Sequence, residues 1–190
     1  MTTDKPGATA SRKQVGYFCH LRTGERHMGG ILITDRIGVP VEFKYTEPVT
    51  TTRLHKILYG SVLEKYLHET VIRERLGREV RSSPDYFITG YEEKEFLGPV
   101  ADREMVAIQK CAFPPEEVSG AFSRTREREA IIQLQDDAVF LRLAFSTPDE
   151  STQLGMAAWL QDLARTMDIL EPLERISTAL TSICGEGKKN

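Results

Sequence analysis

Apolar and polar positions alternate with period two through the first quarter of the chain. Val15, Tyr17, Cys19 and Leu21 share one face of a strand predicted over 15–22, and Thr23-Gly24 supplies a turn. A second strand is predicted over 28–34, and Asp35-Arg36-Ile37-Gly38 has the residues of a tight turn. In the third strand Val39, Val41, Phe43 and Tyr45 alternate with Pro40, Glu42 and Lys44. Proline has no amide donor, so this strand lies at a sheet edge or begins at Pro40. Links this short predict an antiparallel meander. The period then lengthens. A helix is predicted over 52–76, but its apolar residues, from Leu54, Ile57 and Leu58 to Ile72 and Leu76, spread around most of its circumference. Such a helix is covered on more than one side, or it bends at Gly60; Gly77 is read as its stop.

Further on, 85–89 reads as a short strand and 92–97 as a helical turn. The continuous apolar run within 104–112 reads as a strand buried on both faces, as in parallel sheet. Pro114-Pro115 breaks the chain before a short helix over 116–122 and a charged loop over 123–129. A hairpin over 130–146 turns at Asp136-Asp137. Two capping patterns, Thr147-Pro148-Asp149-Glu150 and Asp168 to Glu171, then open two helices. The first gathers Met156, Trp159, Leu160, Leu163 and Met167 in one arc; the second gathers Leu173, Ile176, Leu180 and Cys184 and closes at Gly185. The plain expectation is a helical hairpin docked on the sheet. The alternative is a partner or self-association surface on Met156, Trp159 and Met167.

The result is an α/β chain, with α+β as the alternative. A disordered tail over 1–13 precedes one domain over 14–185, divided into an α/β core (14–113), a hairpin extension (114–146) and the helical hairpin (147–185). The core order β-β-β-α-β-α-β resembles the ribonuclease-H-like fold. That resemblance implies nucleases holding two metal ions with carboxylates, the first of them on strand one. Here strand one reads VGYFCHLR, without Asp or Glu; Asp35 lies at the far end of strand two, and Glu47, Glu92 and Glu93 are the acids within reach of the right edge. The stretch GGILITD, EFKYTEPV and LYG also resembles bacterial proteins of similar length, from which no activity carries over.

Composition narrows the classes. The 190 residues are 40% hydrophobic and 28% charged with net charge −3, so an ordinary globular chain is expected and nucleic acid is disfavoured. Three scattered cysteines, a polar amino terminus and the lack of a long apolar run predict a cytoplasmic protein with reduced thiols and no membrane span.

Phosphate-loop, dinucleotide and nucleophile-elbow motifs are absent. His68-Glu69 begins like a zinc-protease helix, but Ile72 stands where the second histidine belongs, so His68 is expected on the helix surface. Cys19 and His20 are consecutive on a strand and point to opposite faces, so with His27 they make no metal site. No catalytic residue, metal or cofactor is therefore assigned. The candidate ligand site is an anion cradle at Thr50, Thr51, Thr52, Arg53 and Lys56, where a helix begins beside a strand end. Arg22, Glu47, Thr89 and Tyr91 are placed along the same rim. Arg124, Arg126 and Arg128 make a second candidate surface, for an acidic partner. The leading reading is a non-catalytic regulatory or scaffold subunit working through protein contacts. The alternatives are a ribonuclease-H-like nucleic-acid-processing enzyme or inactive relative, and an anion or nucleotide sensor.

Overall fold

The computed structural model describes residues 14–111, 122–134 and 139–186. The expected tail over 1–13, most of the 116–122 helix and the Asp136-Asp137 turn lie outside these residues. Alternation in the first segment produces β1 (Gln14–Thr23), β2 (Arg26–Asp35) and β3 (Pro40–Tyr45), paired antiparallel as expected. Pro40 starts β3, and β3 ends the sheet, so its missing donor disturbs little. A two-residue β4 (Val49–Thr50) pairs with the start of β2. The sheet continues through β5 (Phe87–Gly90), parallel to β1, and β6 (Met105–Cys111), parallel to β5. Beyond β6 come β9 (Phe140–Phe145), β8 (Glu129–Gln133) and β7 (Phe122–Arg126), all antiparallel, giving the order β3-β2-β1-β5-β6-β9-β8-β7. The segment expected as a charged loop is thus largely the edge strand β7. Its pairing with β8 orders the segment, while Arg124 and Arg126 stay exposed.

Between β4 and β5 the chain forms one bent helical stretch. It comprises α1 (Arg53–Tyr59), a 3-10 turn (Gly60–Val62), α2 (Leu63–Tyr66), a π-helical segment (Leu67–Glu74) and α3 (Arg75–Glu79). Gly60 takes φ +52° at the bend that the sequence offered as one option. The other option, cover all round, fails for the first half: Ile57 is 68% and Leu58 70% exposed, and Leu54 and Val62 are open too. Only the second half docks, through Leu63, Leu67, Ile72 and Leu76. Gly77 does not stop the helix, which runs on to Glu79.

Two helical layers enclose the sheet, and the pleat sorts the core between them. Phe18, Ile31, Ile33, Phe87 and Met105 face Ile72 and Leu76. Val15, Tyr17, Leu32, Ile88, Val106 and Leu143 face α4 (Glu150–Leu163) and α5 (Glu171–Glu186). Gly29-Gly30 on β2 serves both layers. A Cβ on Gly29 would stand 2.2 Å from Ile72, and one on Gly30 would stand 3.0 Å from Ile176 on the other side. The glycine pair lets both helices lie close to the strand.

The C-terminal helices dock as the plain expectation had it. Met156 is fully buried, Trp159 packs edge-on against Tyr86, and the Tyr17 hydroxyl contacts Met167 sulfur at 3.9 Å. Of the three residues of the alternative surface, Met156 is taken up by the core, while Trp159 and Met167 pack against it and remain partly exposed. The caps are shifted too. Asp149, not Thr147, accepts from the Thr152 amide, and Asp168 accepts from the Leu170 amide ahead of α5. The last helix passes through Gly185 to Glu186. Among the described residues no helix is long and apolar enough to cross a membrane.

Gly29→Ala is expected to lower stability by about 1–3 kcal/mol through overpacking against Ile72, read as a lower urea midpoint; an unchanged midpoint would show that the close approach is not required. Glu42 on β3 holds the chain leaving α3, accepting from the amides of Arg81 and Ser82. Burial opposes its charge, but hydrogen bonds from Ser82 and Arg81 and the Lys44 charge outweigh it and lower its pKa. A lowered carboxyl pKa gives stability that is present above the unfolded-state value and lost as pH falls through the folded one. Glu42→Gln should therefore flatten the acid limb of the stability–pH curve; parallel curves for wild type and variant would contradict this.

Candidate histidine and glutamate centre

Parallel pairing puts the carboxyl ends of β1 and β5 at the same sheet edge. On β1, His20 shares the face of Phe18, which looks toward the bent helix, while Cys19 packs toward α4 and α5. On β2, His27 pairs beside Arg22 and meets His20 across the ladder. The π-helical segment carries His68 over this edge, and single π turns of this kind recur at functional sites. The 3-10 turn after β5 (Tyr91–Phe96) brings Glu93 in from the other side.

The four side chains touch. His20 Nε2 and His27 Nδ1 lie 3.2 Å apart with the rings stacked. His68 Nε2 is 2.5 Å from Glu93 Oε2, and His20 Nδ1 is 3.9 Å from Glu93 Oε1. Among the described residues, His20, His68 and Glu93 bring three ligand atoms within 4.8 Å of one another. His68 is only 2% exposed, held between Phe18, His20 and the stacked Phe96 ring.

Burial dominates the electrostatics. It lowers the His20 pKa to about 4, against the opposing pull of Glu93, so this ring is neutral near pH 7. Burial also lowers His27. The Cys19 thiol is pushed up to about 12 by burial and by Glu93 and Glu92, which disfavours a thiolate nucleophile. His55 is committed to the cap of α1.

Three cavities adjoin the cluster. One of about 380 Å³ is bounded by Cys19, His20, Thr89, Glu92, Glu93 and, from α5, Glu174. A second of about 230 Å³ shares His20, Glu92 and Glu93 with the first and adds His27, Arg22 and Glu64. A third of about 390 Å³ shares Arg22, His27 and Glu64 and reaches Thr51 and Lys56. Shared lining residues set the three side by side as a segmented groove along the strand ends, from α5 to α1.

The expected rim is present in part. Arg22, Thr89, Glu92 and Glu93 line the first two cavities; Glu47 lines neither, and the Tyr91 hydroxyl turns away to Glu129 at 3.1 Å. The proposed anion cradle holds a carboxylate of the protein's own. Thr52 caps α1 in a reciprocal pair with His55, and Thr51 and Lys56 both bond Glu25. Thr50 is in β4 and Arg53 is exposed at the first turn. Arg124 is tied to Glu150 and Gln153, Arg126 lies 3.9 Å from Glu129, and Arg128 bonds the Ser146 carbonyl. These groups are scattered along the opposite sheet edge and do not join the groove.

Sequence reasoning missed His68, expected on the surface. A signal existed: His68, Ile72 and Leu76 follow at four-residue spacing, and all three are buried.

No protein-family model matches the chain, and no curated protein does. Its fold is similar to two structures of Endonuclease V from Ciona intestinalis, both in complex with DNA containing an inosine followed by a ribo-adenosine. One, with a 23mer, has TM-score 0.54 and 12% identity over 91% of this chain and 86% of that one. The other, with a 24mer, has TM-score 0.51 and 11% identity over 92% and 86%. The chain therefore has a ribonuclease-H-like α/β fold, as the element order suggested.

The two-ion arrangement that this fold implies does not suit the side chains present. Oxygen-only ligation needs several fixed carboxylates; β1 offers Cys19 and His20 instead, and the rim's acids, Glu64, Glu92, Glu93 and Glu174, stand on the bent helix, the turn after β5 and α5.

His68→Phe keeps the ring's bulk but removes the nitrogen that meets Glu93. We expect a loss of about 1–3 kcal/mol in chemical denaturation from the unpaired carboxylate; unchanged stability would mean that Glu93 finds solvent as good a partner.

Proposed function

We propose that this protein is a nucleic-acid-binding member of the ribonuclease-H-like class, one that does not use carboxylate-bound paired metal ions for hydrolysis. The groove is the observation that carries the reading. It extends past a single small-molecule hollow and crosses the carboxyl ends of β1 and β5, where open α/β sheets take ligands. The similarity to Endonuclease V structures with DNA supports the same direction. This reading displaces the regulatory subunit that negative chemistry alone favoured.

One observation keeps a second reading. Leu54, Ile57, Leu58 and Val62 expose apolar surface on one short helical stretch, which suits a protein contact. That surface adjoins the third cavity through Lys56 and Gly60. A protein partner there and a nucleic acid in the groove are compatible.

Fluorescence anisotropy with single-stranded DNA, single-stranded RNA and duplexes, with and without one inosine, tests the main reading. Micromolar binding that weakens steeply with salt is expected, together with no Mg²⁺-dependent cleavage above a buffer control. No binding to any of these would overturn it. Mg²⁺-dependent cleavage abolished by Glu93→Gln would overturn its hydrolytic half.

A further inference from the structure

We propose that His20, His68 and Glu93 hold a single d-block divalent cation of the zinc type. The proposal goes beyond the nucleic-acid reading and does not depend on it.

The donor set comes first. Two imidazole nitrogens and one carboxylate suit zinc and its neighbours, whereas magnesium takes oxygen ligands in near-octahedral array. The three donors come from three separate elements, β1, the π-helical segment and the turn after β5, and all lie within 4.8 Å of one another. A tetrahedral ion about 2.0–2.2 Å from each donor would space them by about 3.3–3.6 Å. The present contacts, 2.5 Å from Glu93 to His68 and 3.9 Å from Glu93 to His20, fall on either side of that value. The His68 contact is to Glu93 Oε2 and the His20 contact to Oε1, so the one carboxylate faces both rings.

The surroundings supply what a metal site needs beyond its ligands. His20 contacts His27 through Nε2. In the tautomer where His20 donates from Nε2, Nδ1 keeps its lone pair and faces Glu93, so His27 acts as a positioning residue for the ligand. Two cavities open on the cluster, so three protein ligands leave a coordination position to water or a ligand, as in open zinc sites. The competing description is a bare His68–Glu93 ion pair. His68 Nδ1 lacks a hydrogen-bond partner under either description and does not separate them. His20 does: an ion pair has no use for a second imidazole turned toward the same carboxylate.

The test uses full-length protein stripped with a chelator, without nucleic acid. Calorimetry with ZnCl₂ and with MgCl₂, and native mass spectrometry, should show one zinc per chain and no magnesium heat at the same concentration. Glu93→Gln and His20→Ala, each checked for folding by circular dichroism, should each weaken zinc binding at least tenfold. Cobalt substitution should give visible ligand-field bands without a thiolate charge-transfer band. Absence of zinc binding by the wild type overturns the proposal. So does wild-type affinity in whichever of the two variants folds, or a thiolate band, either of which places the ion on cysteine or elsewhere. Failure to bind nucleic acid leaves these readouts unchanged, so the two proposals fail separately.

Discussion

The geometry of this molecule rests on how closely the bent helix lies against β2. Gly29 has no side chain, so Ile72 settles directly over the strand. His68 sits four residues before Ile72 and is thereby lowered over the end of β1, where His20 waits. A larger residue at Gly29 would lift the helix and open the His20–His68 contact. Gly30, facing the other way, gives α5 the same closeness, and α5 supplies Glu174 to the wall of the first cavity. One dipeptide thus sets the thickness of both layers and the depth of the groove.

Burying this cluster has a cost that core packing does not explain. Imidazole nitrogens and a carboxylate lose water there, and His68 Nδ1 has no hydrogen-bond partner in return. Apolar residues of similar volume would pack as well, without that penalty. Perturbed titratable groups concentrated at one cleft are a mark of function, and here they stand at the edge this fold uses for its ligands. The opposite sheet edge, with Arg124, Arg126 and Arg128, shows ordinary surface pairing instead.

Much of the fold was legible in the chain because its first half obeys local rules. Period-two alternation and two short turns gave the meander, and the unbroken apolar run of β6 gave parallel pairing. The charged segment at β7 reads as a loop because an edge strand with solvated side chains has the composition of one. The centre was not legible for a different reason. Its members come from positions 20, 27, 68 and 93, and strand-face reasoning separated Cys19 from His20 correctly but had no means of adding His68. A π-helical segment also shifts the helical phase, so Leu67 and His68 are buried side by side, which a strict 3.6-residue period does not anticipate.

Charge decides how such a groove meets a polyanion. The net charge is −3, and Glu64, Glu92, Glu93 and Glu174 line its walls. Its cations are already engaged, Arg22 with Glu64 and Lys56 with Glu25. Both pairs are about half exposed, so water and salt screen them, each contributes little, and exchanging a carboxylate for a phosphate there is cheap. The deeper acids are another matter: Glu93 is nearly buried beside the imidazoles, with Glu92 and Glu174 in the same hollow, where a phosphate would meet closely spaced negative charge. The outer groove near α1 therefore suits a phosphate backbone as it stands, whereas its inner end suits one only when positive charge offsets Glu93. A backbone entering from the α1 side would pass Arg22 and His27 before reaching His20, His68 and Glu93, so affinity and any chemistry at the centre are separable properties of one surface.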